Sequence, residues 1–545
     1  MTPVPGVPAA TEATLAACLQ EYDRDPSPMA LETLLAALEG ASEPAWLECG
    51  RTLGLRNHVD AAARLFERAV SRHPASGELL LGLAGTCWRL RRHDDAERLL
   101  RDWLSRHPAD VAAGFLLGRV LFDLGRAKAA AATISALFQH GEHGVDVVIQ
   151  AVEMLDDFGR PLDALQVCES ALGGERDDPR LHAYAGMLAI QLGRFPEARR
   201  HHEFALAHAA EAVEWNVPLG LSELQRYRDP AHPDLALFRS LLARTDLSDQ
   251  ARTATLFALG KACDDLGDHA QAARCFREAN ARARTRASWS RKQWTRLVRA
   301  RLAAPPFEWE LTPPAWMPVF IVGVPRSGTT VLAELLSRHA QVCNRGELGW
   351  LQRLATQLAD APRERREPFE RAAAVYAAHL LQDDSDAGWF IDKQPLNLLH
   401  VDLIMALWPN ARIVHCRRGP RDVALSLWSQ SFHDRAHEYA CDFADIGAVL
   451  RGGEELMRHW AQRFPDSIRT VDYEDLVSDP QRLIADLCHW LGLPAADPVP
   501  LAEAGNHAIR TASAWQARQP IHTGSVGRWQ HYASSVPELL KFPLR

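Results

Sequence analysis

Val319-Phe320-Ile321-Val322-Gly323-Val324-Pro325-Arg326-Ser327-Gly328-Thr329-Thr330 is the stretch on which the fold turns. Its first four residues form a short apolar, β-branched run, which reads as a buried strand. A glycine loop follows at once, and Val331 to His339 then has helical spacing. Strand, glycine loop and helix in that order are the context of a phosphate-binding loop, where exposed backbone N–H groups and the helix dipole face an anion. The loop keeps a Gly-x-x-x-x-Gly spacing from Gly323 to Gly328, yet Thr329 stands where a nucleotide triphosphatase has its lysine. Arg326 supplies a cation from inside the loop instead. That departure argues against hydrolysis of ATP or GTP, which needs the lysine and a magnesium site.

Downstream, Ala411-Arg-Ile-Val-His-Cys416 reads as a second strand, ending in Arg417-Arg418. Gly419-Pro420-Arg421-Asp422 makes a turn, and Val423 to Ser431 reads as a helix. Arg418 and Ser426 lie eight residues apart, one at the strand end and one inside the helix. Both can converge on a second phosphate at the carboxyl edge of a parallel sheet, where open α/β folds bind their ligands.

Upstream, the chain repeats itself. Ala62, Ala96, Ala130, Ala164 and Ala198 follow one another at steps of 34 residues, and Gly125, Gly159 and Gly193 keep the same step five residues ahead. Such a period is a pair of antiparallel helices per unit, with small residues where the helices approach and a Gly or polar residue at the turn. Pro74 and Pro108 end the second helices of the first two units. Residues 211–249 break the register and predict a longer, irregular hairpin before a last unit from Leu256 to Asn280. His201 and His202 sit on a repeat helix without metal-ligand spacing and are expected to face solvent. A basic helix from Arg291 to Arg301 and a Pro- and Trp-rich segment then lead to the phosphate loop.

The composition sets outer bounds. With 545 residues, the chain exceeds what one hydrophobic core supports, and its net charge of -8 argues against nucleic acid as partner. At 47% hydrophobic and 24% charged it has the composition of a soluble globular protein. No apolar run reaches the length of a membrane span, and the amino terminus lacks the pattern of a secretory signal. Ten scattered cysteines, with no C-x-x-C pair, are expected to be reduced, so the cytoplasm is the expected location. The expected domains are a helical cap (1–39), a repeat solenoid (40–284), a connector (285–317) and an α/β domain (318–545). The fold class is therefore α plus α/β, the second with a central parallel sheet.

Two family resemblances sharpen this. Residues 40–285 resemble the tetratricopeptide repeat family, which implies either a concave surface for a peptide or protein, or a structural or dimerising arm; a homodimer is one expected partner. Residues 318–535 resemble the sulfotransferase superfamily, which uses 3′-phosphoadenylyl sulfate (PAPS), and are closest to the protein-tyrosine sulfotransferases. Pro325, Arg326, Ser327, Gly328, Thr329 and Thr330 look like its 5′-phosphosulfate loop, and Arg418 to Ser426 like its 3′-phosphate segment. The resemblance implies further roles. Arg345-Gly346-Glu347 offers Glu347 as the catalytic base, 21 residues past Arg326. Asp392-Lys393-Gln394-Pro395 offers the catalytic Lys393, one of only five lysines in the chain. Tyr473 would meet adenine, Ser513 would be the active-site serine, and Arg528 in Gly527-Arg528-Trp529 would contact the 3′-phosphate.

The residue types suit the chemistry. Sulfuryl transfer moves a neutral SO3 unit in line from a phosphosulfate to an acceptor hydroxyl, and a carboxylate such as Glu347 can take the hydroxyl proton. Arg326, Lys393, Ser513 and the loop N–H groups would stabilise the charge gained by the leaving phosphate. No metal is expected, because fixed cations suffice for the lower charge of the transferred group. His400 and Asp392 stand as alternative bases. Peptide tyrosine is the acceptor that the resemblance favours, although Leu348-Gly349-Trp350 follows the Gly-Glu pair where acidic-peptide enzymes carry basic residues. A carbohydrate or small-molecule hydroxyl stays open. So do two other classes, a nucleotide kinase or NTPase and a non-catalytic repeat scaffold.

Overall fold

The five alanines of the 34-residue register are all fully buried, at 0% exposure. Each begins to pack one helix pair: Glu43–Leu55 with Val59–Arg72, Gly77–Arg89 with His93–Arg106, Val111–Asp123 with Ala127–Leu137, Val145–Asp157 with Pro161–Ala171, and Pro179–Gln191 with Phe195–His208. The turn between partners needs one left-handed residue, and the same step supplies it. Asn57, Arg91, Gly125, Gly159 and Gly193 all have φ between 59° and 76°. Glycine adopts that conformation without the Cβ penalty that Arg91 bears. These elements belong to a computed structural model that describes residues 12–139, 142–173, 177–432, 434–494 and 521–544.

Two compact units make up the chain. The first contains residues up to His143 together with Asp157–Arg160; the second contains Gly144–Asp156 and Pro161–Arg545. In the second, residues 211–249 hold a 3-10 turn (Ala210–Val213), the helix Val217–Glu223 and the helix Pro233–Ala243. The last hairpin pairs Asp249–Asp265 with His269–Arg286 around Gly267, at φ 81°. A Cβ at Gly260 would lie 2.5 Å from the Phe276 ring, so the two helices meet there without room for a side chain.

His201 and His202 do not face solvent, contrary to the sequence expectation. They are 8% and 3% exposed. His202 takes the place that Phe66 and Phe276 take in their own hairpins, wedged between Gly186 and Gly220, with its Nε2 2.6 Å from where a Cβ at Gly220 would sit. Histidine is a polar type, but its slot in the 34-residue register is an apolar one. Burial pushes its pKa down to about 3, so the ring is neutral.

The sheet has five strands, all parallel: β1 (Met317–Gly323), β2 (Val342–Asn344), β3 (Trp389–Asp392), β4 (Arg412–Arg417) and β5 (Ile468–Asp472), in the order β2-β3-β1-β4-β5. Both faces of β1 are buried. Val319 and Ile321 join a core with Leu332, Leu336, Val414 and Val471, while Phe320 and Val322 join one with Tyr376, Trp408, Ile413 and Trp460. That is the pattern of a central strand in a covered parallel sheet. The second core also takes in Phe257, Phe276 and Trp294 from the helical half, so the last repeats and the sheet share one interior. The helix Arg291–Leu302 packs on the helix Phe443–Arg463, where the Trp294 indole donates to the Ala448 carbonyl at 3.0 Å.

Candidate active site

Each strand brings one nominated side chain to the carboxyl edge of the sheet. Beyond β1 lies the loop 324–328; beyond β2, Glu347; beyond β3, Lys393; beyond β4, Arg418; beyond β5, Tyr473. Strand order changes direction beside β1, since β2 and β3 lie on one side of it and β4 and β5 on the other. Open α/β sheets bind ligands at that crevice.

The loop geometry explains its glycines. Gly323 has φ 154° and its Cβ would collide with the Cys416 carbonyl, while Gly328 has φ 100° and its Cβ would collide with the Tyr473 ring. Arg326 also has a left-handed backbone, φ 75°. Gly328 caps the helix Thr329–Leu336 with no side-chain acceptor for its first N–H groups, which leaves them to an anion. Ser327 Oγ and Arg418 Nε are buried with no hydrogen-bond partner among the described residues. A doubly phosphorylated donor supplies what both lack, so the residues present fit such a group.

Three guanidiniums gather here. Arg326 donates from Nε to Ser426 Oγ at 2.9 Å, which ties the loop 324–328 to the helix after β4. Arg418 donates to the Arg326 carbonyl (3.2 Å) and the Ser525 carbonyl (2.5 Å), and lies over the Tyr473 ring at 4.6 Å. Tyr473 in turn shares a 2.7 Å hydrogen bond with Ser525 Oγ. Burial, then the charges of Arg418 and Arg528, push the Arg326 pKa down to about 10. Burial lowers Arg418 too, with Arg528 adding to it. A dianion between them relieves both effects.

The acid–base side is a contact between the two residues nominated for it. Lys393, 2% exposed, donates to Glu347 Oε1, and its backbone N–H donates to the Gly346 carbonyl at 2.8 Å. Gly346 turns the chain at φ 70°, and Arg345 anchors the turn to the Leu380 and Leu381 carbonyls and to Asp384. Beneath lies Asp392, fully buried, accepting from the Tyr376 hydroxyl, Asn397 Nδ2 (2.7 Å) and the Leu348 N–H (3.3 Å). Burial pushes its carboxyl up to about 7 against those donors and Lys393. Both Asp392 oxygens are thus engaged by hydrogen-bond donors. His400 Nε2 donates to Gln352 Oε1 at 2.8 Å, in a buried setting that pushes its pKa down to about 3.

Arg528 stands near both other arginines and is paired with Asp264 at 2.5 Å. Ser513 lies outside the described residues. Spacing did not reveal Asp264, nor Glu223, a repeat-side carboxyl whose pKa burial pushes up to about 7 and which faces Lys261, Gln430 and Arg326. Asp422 accepts from the Gly527 and Trp529 N–H groups at 2.7 and 2.9 Å. A cavity of 1160 Å³ borders the loop at Ser327 and Arg418 and runs past Arg451, Arg458 and Lys541, leaving Glu347 and Lys393 outside it.

Comparison with known proteins bears on this geometry. Residues 318–497 match the sulfotransferase family, and residues 56–113 and 88–140 match tetratricopeptide repeats. The chain carries a sulfotransferase domain. An uncharacterized protein of Aquifex aeolicus (strain VF5) is 24% identical over 542 residues, covering 92% of this chain and 69% of its own. Nodulation protein H of Rhizobium meliloti (strain 1021) is 27% identical over 200 residues, 33% of this chain and 78% of that protein. Protein-tyrosine sulfotransferase 1 of Danio rerio is 23% identical over 231 residues, 39% of this chain and 65% of that protein. No helix of the described residues is long and apolar enough to cross a membrane.

Proposed function

We propose that this sulfotransferase moves a sulfuryl group from PAPS to the hydroxyl of a peptide tyrosine. The observation that carries the transfer is the contact of Lys393 with Glu347 at the carboxyl edge of β3, beside the loop that begins at the end of β1. Glu347 takes the acceptor's proton as the oxygen attacks sulfur. The S–O bond to the donor phosphate breaks, and the leaving phosphate gains charge that Arg326, Lys393 and the first N–H groups of Thr329–Leu336 stabilise. Arg418 and Arg528 hold the 3′-phosphate, and Tyr473, flat against Gly328 and Arg418, forms the wall on which adenine rests. Ser513 completes the set.

Tyrosine as the acceptor is supported by the Arg-bearing loop, by the Gly346-Glu347 pair, by repeats suited to polypeptides and by the name of the Danio rerio relative. The apolar run Leu348-Gly349-Trp350 after Glu347 favours a second acceptor, a carbohydrate or small-molecule hydroxyl that makes no demand for basic residues. The ten cysteines are all free, which supports a cytoplasmic setting. The test is transfer of radiolabelled sulfate from PAPS to a panel of tyrosyl peptides, oligosaccharides and phenols. Label on a peptide tyrosine is expected; label on sugars alone moves the reading to the second acceptor, and absence of both transfer and PAPS binding ends it.

A further inference from the structure

The segment that carries Arg528 is gripped from two sides. Asp422, of the sulfotransferase domain, accepts the Gly527 and Trp529 N–H groups and so fixes the backbone. The side chain is fixed from the last repeat hairpin. Asp264 Oδ2 accepts from Arg528 Nη2 at 2.5 Å and Asp264 Oδ1 accepts from the Tyr532 hydroxyl at 2.5 Å, with His269 Nδ1 3.4 Å away. His269 also stacks on His531, ring centroids 5.0 Å apart. Further along, Arg277 pairs with Glu538 at 2.7 Å. Resting on the donor reading above, we propose that Asp264 is a positioning residue for the donor's 3′-phosphate, acting through Arg528, so that the repeat hairpin 249–286 completes the donor site.

The physical argument is one of buried charge. Arg326, Arg418 and Arg528 are close enough that Arg528 opposes protonation of the other two, and while Glu223 faces Arg326 and Asp422 and Glu474 face Arg418, the carboxylate paired with Arg528 itself is Asp264. Burial works against the Arg528 cation, and the Asp264 carboxylate more than offsets it. Burial likewise opposes ionised Asp264, and Arg528 with its hydrogen bonds holds that carboxyl well below the usual range. A guanidinium presents a planar fork with donors on two edges. With Nη2 held by Asp264, the remaining edge is oriented before the donor arrives, which lowers the cost of binding. Asp264 lies on the helix Asp249–Asp265, so on this proposal recognition of the second phosphate draws on a residue of the helical half.

Adenosine 3′,5′-bisphosphate and adenosine 5′-monophosphate differ only in the phosphate concerned, so calorimetry with both on the full-length protein isolates it. The wild type is expected to prefer the bisphosphate; if it does not, the donor reading itself fails and this inference with it. Asp264→Ala is expected to cut bisphosphate affinity about tenfold or more while monophosphate affinity stays within about threefold, the size of one charge-assisted contact. In an Arg528→Ala background, Asp264→Ala should change nothing further, a non-additivity that general loosening of the fold does not produce. An unchanged preference in Asp264→Ala, or additive losses in the double variant, overturns the inference while leaving the donor reading intact. Should Asp264→Ala not fold, Asp264→Asn, of the same shape without the charge, carries the same expectation and the same overturning result.

Discussion

At the scale of the residue, the site turns on the pair Lys393–Glu347 and on what stands behind it. Glu347 is partly exposed, while its partner Lys393 and the neighbouring Asp392 are buried. On the proposed mechanism, removing the carboxylate deletes the proton acceptor but leaves the loop 324–328 untouched. Glu347→Gln is therefore expected to lower kcat by about 100-fold to 10,000-fold with donor affinity unchanged, checked by single-turnover transfer and by calorimetry with adenosine 3′,5′-bisphosphate. Weakened donor binding instead would assign Glu347 to the donor. His202 gives a second residue-scale expectation. Its folded pKa of about 3 lies below the unfolded value near 6.5, so the unfolded chain binds the extra proton and stability falls as pH drops from about 6.5 toward 3. At pH 5 the loss from this ring is about 2 kcal/mol. His202→Leu removes it, so urea midpoints at pH 7.5 and pH 5.0 should lie closer together in the variant; parallel curves for the two proteins would sink the idea of a neutral buried ring.

At the scale of the element, the repeat turns are a matched series. Gly125, Gly159 and Gly193 occupy the left-handed position at little cost, whereas Arg91 occupies it at φ 59° against its Cβ. Arg91→Gly should stabilise the first unit by about 0.5–1 kcal/mol, and Gly125→Ala should destabilise it by about 1–2 kcal/mol, both read from urea unfolding. Opposite signs at equivalent positions test the register itself. The alanine step made the hairpins readable, because burial between two helices tolerates only small side chains there. Arg91 was not readable as a turn residue, since its type does not announce a positive φ; Asn57 is of a type enriched there, a weaker signal than glycine. The phosphate loop was readable for the same reason as the hairpins: Gly323 and Gly328 are where a carbonyl and a ring leave no space. Gly328→Ala, which drives a methyl into Tyr473, is expected to abolish measurable binding of adenosine 3′,5′-bisphosphate while circular dichroism shows the sheet retained.

At the scale of the whole molecule, what spacing could not show is the dependence of the sheet domain on the helices before it. Asp264 and Arg528 meet across 264 positions, and Asn280 donates to the Trp428 carbonyl at 2.8 Å across 148. No local pattern marks such pairs, because each partner satisfies its own helix or turn without the other. The interior they share reaches from Phe257 and Phe276, through Trp428, to Phe320 on β1, with Phe276 edge-on to Trp428 at 5.8 Å. Buried aromatic surface of that kind is the main term holding two elements together, and exposing it costs several kcal/mol. The hairpin 249–286 should therefore unfold with the sheet and not with the earlier repeats of the first unit. Hydrogen exchange in rising urea tests this: amides of Asp249–Asp265 and His269–Arg286 are expected to lose protection at the same denaturant concentration as those of β1 and β4. A fragment beginning at residue 318 should then bind a hydrophobic dye through the uncovered Trp428 face and lose its preference for a 3′-phosphate. If the hairpin opens well before the sheet, the shared interior contributes little, and Asp264 could not keep Arg528 in place.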